Sequence, residues 1–442
     1  MTLPMEVERP STPDNQAVYL PDEIIIQILS YIAESRHHDA KRTLASCCFL
    51  SRRWYDSAVP LLYERPVLSG RNFDLFVRTI CPSKNVHVIR SPLAELVKVL
   101  DLSRLVHEGS KSTTARLIGR TKGQLEEFVA PVATFSAHCF PALSKCKHLK
   151  LLDLSLVAES PPLPDLFRTF SHLEQLQTLR LPRSSGFGVH HKPSSFGWPT
   201  HLQELCLSGG IDAHFLHGIV SFPQTLRHLT IENCPNAKSH AVTYLLKKAV
   251  QPLTNLQSLK IAHMPRISRY ALDNVLILLP QLQKLSVSID YVSEAMFDET
   301  HYHHNNYAIM AEDPTQVDPF QPSMPIKHAL RTLELTASSL SHTVDDKLQP
   351  VDVLIAVSEG AIPKLRQVRV AKELEWDGHA LRDDLEQLVD ELQSGARDDW
   401  LARDWLFEQR GNKDEDHAKQ PWKDVAGVWV FGNGYGSNSW PM

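Results

Sequence analysis

Seven cysteines in 442 residues is an odd number, and no two of them form a Cys-x-x-Cys pair. That argues against both a disulfide framework and a structural zinc site. No run of 18 apolar residues is present to span a bilayer, and no N-terminal apolar stretch has the pattern of a secretory signal. No Asn-x-Ser/Thr acceptor occurs either. Charge of one sign is also missing: 46 Lys and Arg face 51 Asp and Glu, for a net −5. Such a balance offers no field for a polyanion or a membrane surface. These absences lead us to expect a reduced protein, cytoplasmic and/or nuclear, with no nucleic-acid and no membrane partner.

Catalytic signatures are missing as well. Gly109-Ser110-Lys111-Ser112 has the end of a phosphate loop, but Leu105 stands where the upstream glycine is needed. Gly186 and Gly188 lead to His191 rather than a third glycine, so there is no dinucleotide fingerprint. His301, His303 and His304 sit together without a carboxylate or cysteine cluster at ligand spacing, which reads as a solvated histidine-rich loop. No Ser or Cys nucleophile motif is found. We therefore expect no enzyme: no catalytic residue, no cofactor and no metal.

What the chain does contain is a period. The pattern Leu-x-x-Leu-x-Leu recurs at Leu149/Leu152/Leu154, Leu176/Leu179/Leu181 and Leu202/Leu205/Leu207. It continues at Leu226/Leu229/Ile231, Leu256/Leu259/Ile261 and Leu282/Leu285/Val287. These starts lie 27, 26, 24, 30 and 26 residues apart, close to the spacing of leucine-rich repeats. Looser copies stand at Leu330/Leu333/Leu335, Leu365/Val368/Val370 and Val97/Leu100/Leu102. The last begins 52 residues before Leu149, twice 26, so a degenerate repeat is expected between them. One unit cannot close its own core, and neighbours must stack into a curved solenoid.

The expected fold class is therefore α/β. A short all-helical N-terminal domain precedes a leucine-rich-repeat solenoid with parallel strands on its concave face and helices or loops on its convex face. Alternate strand positions face solvent on the concave side. Arg180, His228 and Lys260 are among them, in a mixed polar surface suited to a protein partner. Residues 183–200 replace a return helix with Gly, Ser, Pro and the aromatics Phe187, Phe196 and Trp198. We take Arg180, Trp198, His228 and Lys260 as candidate partner-binding residues, since anchors favour Trp, Tyr and Arg. Residues 293–329 form an insertion. Downstream, residues 372–424 hold 16 acidic and 8 basic residues, a net of −8. Within them Leu381, Leu385, Leu388, Val389 and Leu392 predict an amphipathic helix ending before Gly395, and Val428–Phe431 a terminal strand.

The N-terminal stretch from Leu20 to Tyr63 has its own pattern. Leu20-Pro21-Asp22-Glu23 precedes Ile24, Ile25, Ile28, Leu29 and Ile32 at helical spacing. Pro21 suits a first helical position, and the two acids suit the first turn. Leu44, Cys47, Cys48 and Leu50 follow, then Ser51-Arg52-Arg53-Trp54. About 45 residues cannot bury so many large apolar groups among themselves, so part of this surface should meet a partner.

The order L-P-D-E-I-I, I-L, L-S-R-R-W resembles the F-box, by which ubiquitin-ligase receptors dock on a Skp-type adaptor. With the repeats behind it, the chain is similar to fungal F-box proteins with leucine-rich repeats. The resemblance implies a non-catalytic substrate receptor of an SCF-type ubiquitin ligase, reaching a cullin through the adaptor and holding a protein substrate for proteasomal degradation. It implies adaptor contacts at Leu20, Pro21, Ile24, Ile28, Leu29, Leu50 and Trp54. The organisation expected is a disordered N-terminus (1–18), the F-box (19–66), a linker helix region (67–94), the repeat array (95–371) and an acidic cap and tail (372–442). Two alternatives stay open: an adaptor-bound F-box protein working outside the ligase, or a plain leucine-rich scaffold whose helical N-terminus caps the array.

Overall fold

A computed structural model describes residues 20–35, 39–83, 91–105, 109–185, 197–211, 215–216, 222–249, 255–298, 328–337, 347–408 and 421–432. The chain starts with three helices, α1 (Asp22–Glu34), α2 (Ala40–Cys47) and α3 (Arg52–Glu64). Ile25, Leu29, Leu44, Cys47 and Ala58 close a small core of their own, with Leu20, Ile32, Trp54, Leu61 and Leu62 packed at its margin. Helix α4 (Gly70–Ile80) and α5 (Lys111–Thr121) then cover the open end of the array with Phe73, Phe76, Ile80, Leu117 and Ile118.

Among the described residues, eleven strands form one parallel sheet in strict chain order. They are β1 (Val99–Asp101), β2 (Glu127–Val129), β3 (Leu151–Asp153), β4 (Thr178–Arg180), β5 (Glu204–Leu207) and β6 (His228–Glu232). The series continues with β7 (Ser258–Ala262), β8 (Lys284–Ser288), β9 (Thr332–Thr336), β10 (Gln367–Ala371) and β11 (Gly427–Phe431). Each unit adds one strand beside the last because its leucines have no other place to be buried. Leu152, Leu179, Leu205, Leu229, Leu259 and Leu285 stand side by side in the register, each almost completely buried.

The expected degenerate repeat is β2. Leu125, Phe128 and Ala130 occupy the leucine positions, 28 residues after Val97 and 24 before Leu149, and all three are fully buried. Phe128 meets Phe135 with ring centroids 6.1 Å apart, so aromatic volume fills what leucines fill elsewhere.

Helices return on the convex side where the sequence permits: α6 (Phe140–Leu143), α7 (Leu163–Phe170), α8 (Ser239–Ala249), α9 (Val275–Leu278) and α10 (Pro350–Ser358). Between β4 and β5, where no helix was expected, Trp198 packs against the core. Its indole meets Phe167 edge-on at 5.0 Å and stacks on Phe222 at 6.0 Å. Phe187 and Phe196 lie outside the described residues, as does most of the 293–329 insertion, including His301, His303 and His304.

At the far end the sheet does not stop at residue 371. A single long helix, α11 (Arg382–Glu408), and a short α12 (Pro421–Val425) lead into β11, which pairs with β10 from Gln367 to Ala371. The expected end of α11 before Gly395 is corrected: the helix runs through that glycine. A Cβ there would stand 2.8 Å from the Arg366 guanidinium, which instead lies against the helix and reaches Asp399 at 2.9 Å. A helical glycine costs about 1 kcal/mol relative to alanine, and here the missing side chain admits the ion pair.

Candidate functional site

Two surfaces have the character of interaction sites, and the first is the helical N-terminus. Ser51 caps α3 by accepting from the Trp54 N–H at 3.4 Å, and Asp22 Oδ1 accepts from Arg53 Nε at 2.8 Å, tying the start of α3 to the start of α1. This small frame leaves large apolar groups outside. Ile24 is 41% exposed, Ile28 38% and Leu50 65%. Pro21 is also exposed, while Leu20 and Trp54 are half-buried.

Leu29 is a correction. It has no exposed surface, because it fills the centre of the three-helix core with Ile25 and Leu44, and it is closed to a docking partner. In its place the structure presents Ile26 (50% exposed), Tyr31 (80%) and Phe49 (89%), with Tyr55 nearby in sequence. Seven of the fifteen large exposed hydrophobics among the described residues fall between positions 24 and 55. The signal for Ile26 was legible: three consecutive isoleucines, 24 to 26, cannot share one helical face.

The second surface is the concave face. By register Arg180, Cys206, Thr230 and Lys260 share one row on consecutive strands, followed by Ser286, Glu334 and Arg369. Arg180 spans two neighbours, donating to Asp153 Oδ2 at 3.2 Å and to Glu204 Oε1 at 2.9 Å. Lys260 pairs with Glu232 at 2.9 Å, and Glu334 holds both Lys284 (3.3 Å) and Arg369 (3.6 Å). Burial pulls the Arg180 and Lys260 cations down, yet their carboxylates hold both above their ordinary values. The cations are thus presented in a fixed lattice rather than as swinging charges. His228 stands exposed at the first position of β6.

Trp198, grouped with these residues on sequence, is corrected: its ring is half-buried among convex-side aromatics and takes no place on the concave face. Gly109-Ser110-Lys111-Ser112 also has a structural explanation. Gly109 adopts φ +87°, and Ser110 caps α5 by accepting from the Thr113 N–H. Cys146, Cys206 and Cys234 have thiols pushed by burial up to about 12, the wrong direction for a nucleophile.

The fold is a helical N-terminal unit followed by an α/β solenoid built on one parallel sheet. That unit is an F-box-like domain: residues 17–69 match the F-box-like family model. The chain is 30% identical over 331 residues to the F-box protein YDR306C of Saccharomyces cerevisiae, a match spanning 74% of this chain and 62% of that protein, less than two thirds of its length. It is 27% identical over 374 residues to protein pof5 of Schizosaccharomyces pombe, across 84% of this chain and 96% of that one. Among solved structures, the yeast Rad7–Elc1 complex covers 79% of this chain and 87% of its own, with a TM-score of 0.46 and 15% identity.

Proposed function

We propose that this chain is the substrate receptor of an SCF-type ubiquitin ligase. The F-box-like domain docks on a Skp-type adaptor, and through it on a cullin, while the repeats hold the protein to be ubiquitinated. The observation that carries this reading is the exposed apolar surface of Ile24, Ile26, Ile28, Phe49 and Leu50 on an F-box-like domain whose own core is already closed. Such a surface in water favours a partner.

In this reading the receptor contributes no reacting side chain. It raises the effective concentration of a substrate lysine beside the charged conjugating enzyme. Arg180, His228 and Lys260 offer the concave contacts. The working compartment is the cytoplasm and/or nucleus.

The test is co-expression with a Skp-type adaptor. Ile28→Glu combined with Leu50→Glu alters two exposed positions, so the chain should stay folded while the adaptor no longer co-elutes in gel filtration. An undiminished complex would refute docking at this surface. Cullin in the complex purified from cells separates ligase membership from a role outside it.

A further inference from the structure

The residue immediately before each strand from β4 to β10 is glutamine or arginine, without exception. Gln177, Gln203, Gln257 and Gln283 precede four of these strands, and Arg227, Arg331 and Arg366 the other three. A carboxylate would be equally soluble at such positions, and this chain is richer in acids than in bases. The backbone groups at this leading edge of the sheet are already used in the ladder, as where Arg227 N donates to Gln203 O and Gln257 N to Arg227 O, both at 2.8 Å. The side chains are what remains to meet a ligand. Arg227 and Arg331 are exposed, and neither guanidinium has an acidic partner among the described residues.

Two adjoining hollows lie along this edge. One, of about 550 Å³, is lined by Gln203, Gln257 and Gln283 with Arg227 among them. The other, of about 450 Å³, begins at the next strand. Arg331 stands on its wall, and it is closed by Trp400 of α11 and Trp422 of α12, whose rings are 5.3 Å apart. Arg366 is part of that wall but is occupied by Asp399 and by the carbonyls of Pro363 and Leu365.

We propose that this edge is a second recognition site, which takes an extended acidic segment of a partner protein. One carboxylate sits on Arg227 and another on Arg331, the glutamine amides hold the intervening peptide groups, and an aromatic side chain packs against the outer face of the Trp400–Trp422 pair. From β6 to β9 is three strand steps, about 14 Å at roughly 4.8 Å each. An extended chain covers that in about four residues at ~3.4 Å apiece. The motif expected is two acids about four positions apart, followed by an aromatic. A segment with two spaced carboxylates fits better than a nucleic acid, because Arg227 and Arg331 are two separate cations three strands apart and Asp399 on the wall of the second hollow would repel a continuous run of phosphates.

This site deepens the receptor reading and rests on it for its biological sense, but peptide binding and adaptor docking are measured separately. A phage-displayed library of random twelve-residue peptides is panned on the full chain. Enrichment of paired acids ahead of Phe, Tyr or Trp is expected. Fluorescence anisotropy of the most enriched peptide should then show at least tenfold weaker binding to Arg227→Glu/Arg331→Glu, with melting and adaptor co-elution unchanged. In Trp422→Ala the preference for the aromatic should disappear. No enrichment, enrichment without acids, equal binding by the double variant, or capture of single-stranded oligonucleotide in place of peptide each overturns the proposal. A failure of adaptor co-elution in the unaltered chain, by contrast, refutes the receptor reading and leaves the peptide result standing.

Discussion

Tyr63, in the last turn of α3, stacks on Phe76 of α4 with ring centroids 6.5 Å apart and an interplanar angle of 22°. Leu61 and Leu62 pack on the small N-terminal core, whereas Tyr63 packs on the core of the array, so one helix belongs to both. The pairs Lys98–Glu64 (2.9 Å) and Arg65–Glu127 (3.1 Å) continue the junction onto the first two repeats. The F-box-like domain is thereby tied to the repeats by both apolar packing and ion pairs.

Removing residues 1–65 therefore takes away part of the array's own end packing. The truncated chain should fold but melt at a lower temperature. Tyr63→Ala in the full chain should reproduce part of that loss while adaptor co-elution persists. Scanning calorimetry of the three forms checks this, and an unchanged melting temperature would show the junction to be energetically idle.

Leu229 and Leu259 are neighbours in register on β6 and β7 and essentially without exposed surface. Either one changed to alanine should destabilise the chain by about 2–5 kcal/mol, from lost transfer energy and the cavity left behind. Because adjacent repeats share one core, hydrogen exchange should rise in several repeats around the substitution rather than in one.

The Lys260–Glu232 and Lys150–Glu126 pairs give opposite pH signatures. Lys260 titrates above its ordinary 10.5 in the folded chain, where the pull of burial is outweighed by Glu232. Its stabilising contribution is complete below 10.5 and is lost as pH rises through the higher folded value. Glu126 is held below its ordinary 4.5, chiefly by the hydrogen bond from Lys150 at 2.7 Å, so its contribution is present above 4.5 and fades as pH falls through the lower folded value. Lys260→Gln should flatten only the alkaline limb of a stability-against-pH curve, and Glu126→Gln only the acid limb. Both pairs are partly exposed, so the effects should be small and shrink with salt.

The sequence by itself determined the repeating part of this protein. A leucine at each third and then second position allows one solution: short parallel strands stacked so that each row of leucines buries the next. That local period placed nine of the eleven strands seen among the described residues, and the apolar run Val428–Phe431 marked a tenth. The apolar excess of Leu20 to Tyr63 likewise announced that large apolar groups such as Ile24, Ile28 and Leu50 would stay exposed, because so short a segment has no interior large enough to hold them.

Tertiary structure decided what depends on distant neighbours. Leu29 and Ile28 are adjacent and chemically alike, yet only the meeting of α1 with α2 and α3 sets which one is buried. Trp198 turned inward because Phe167 and Phe222, 31 and 24 residues away in sequence, give its ring a place to pack. Gly395 did not end its helix, since a guanidinium from another element needed the space above it. The leading edge of glutamine and arginine is likewise invisible along the chain: its members are 24 to 48 residues apart in sequence and become one surface only when parallel register brings them to the same end of the sheet.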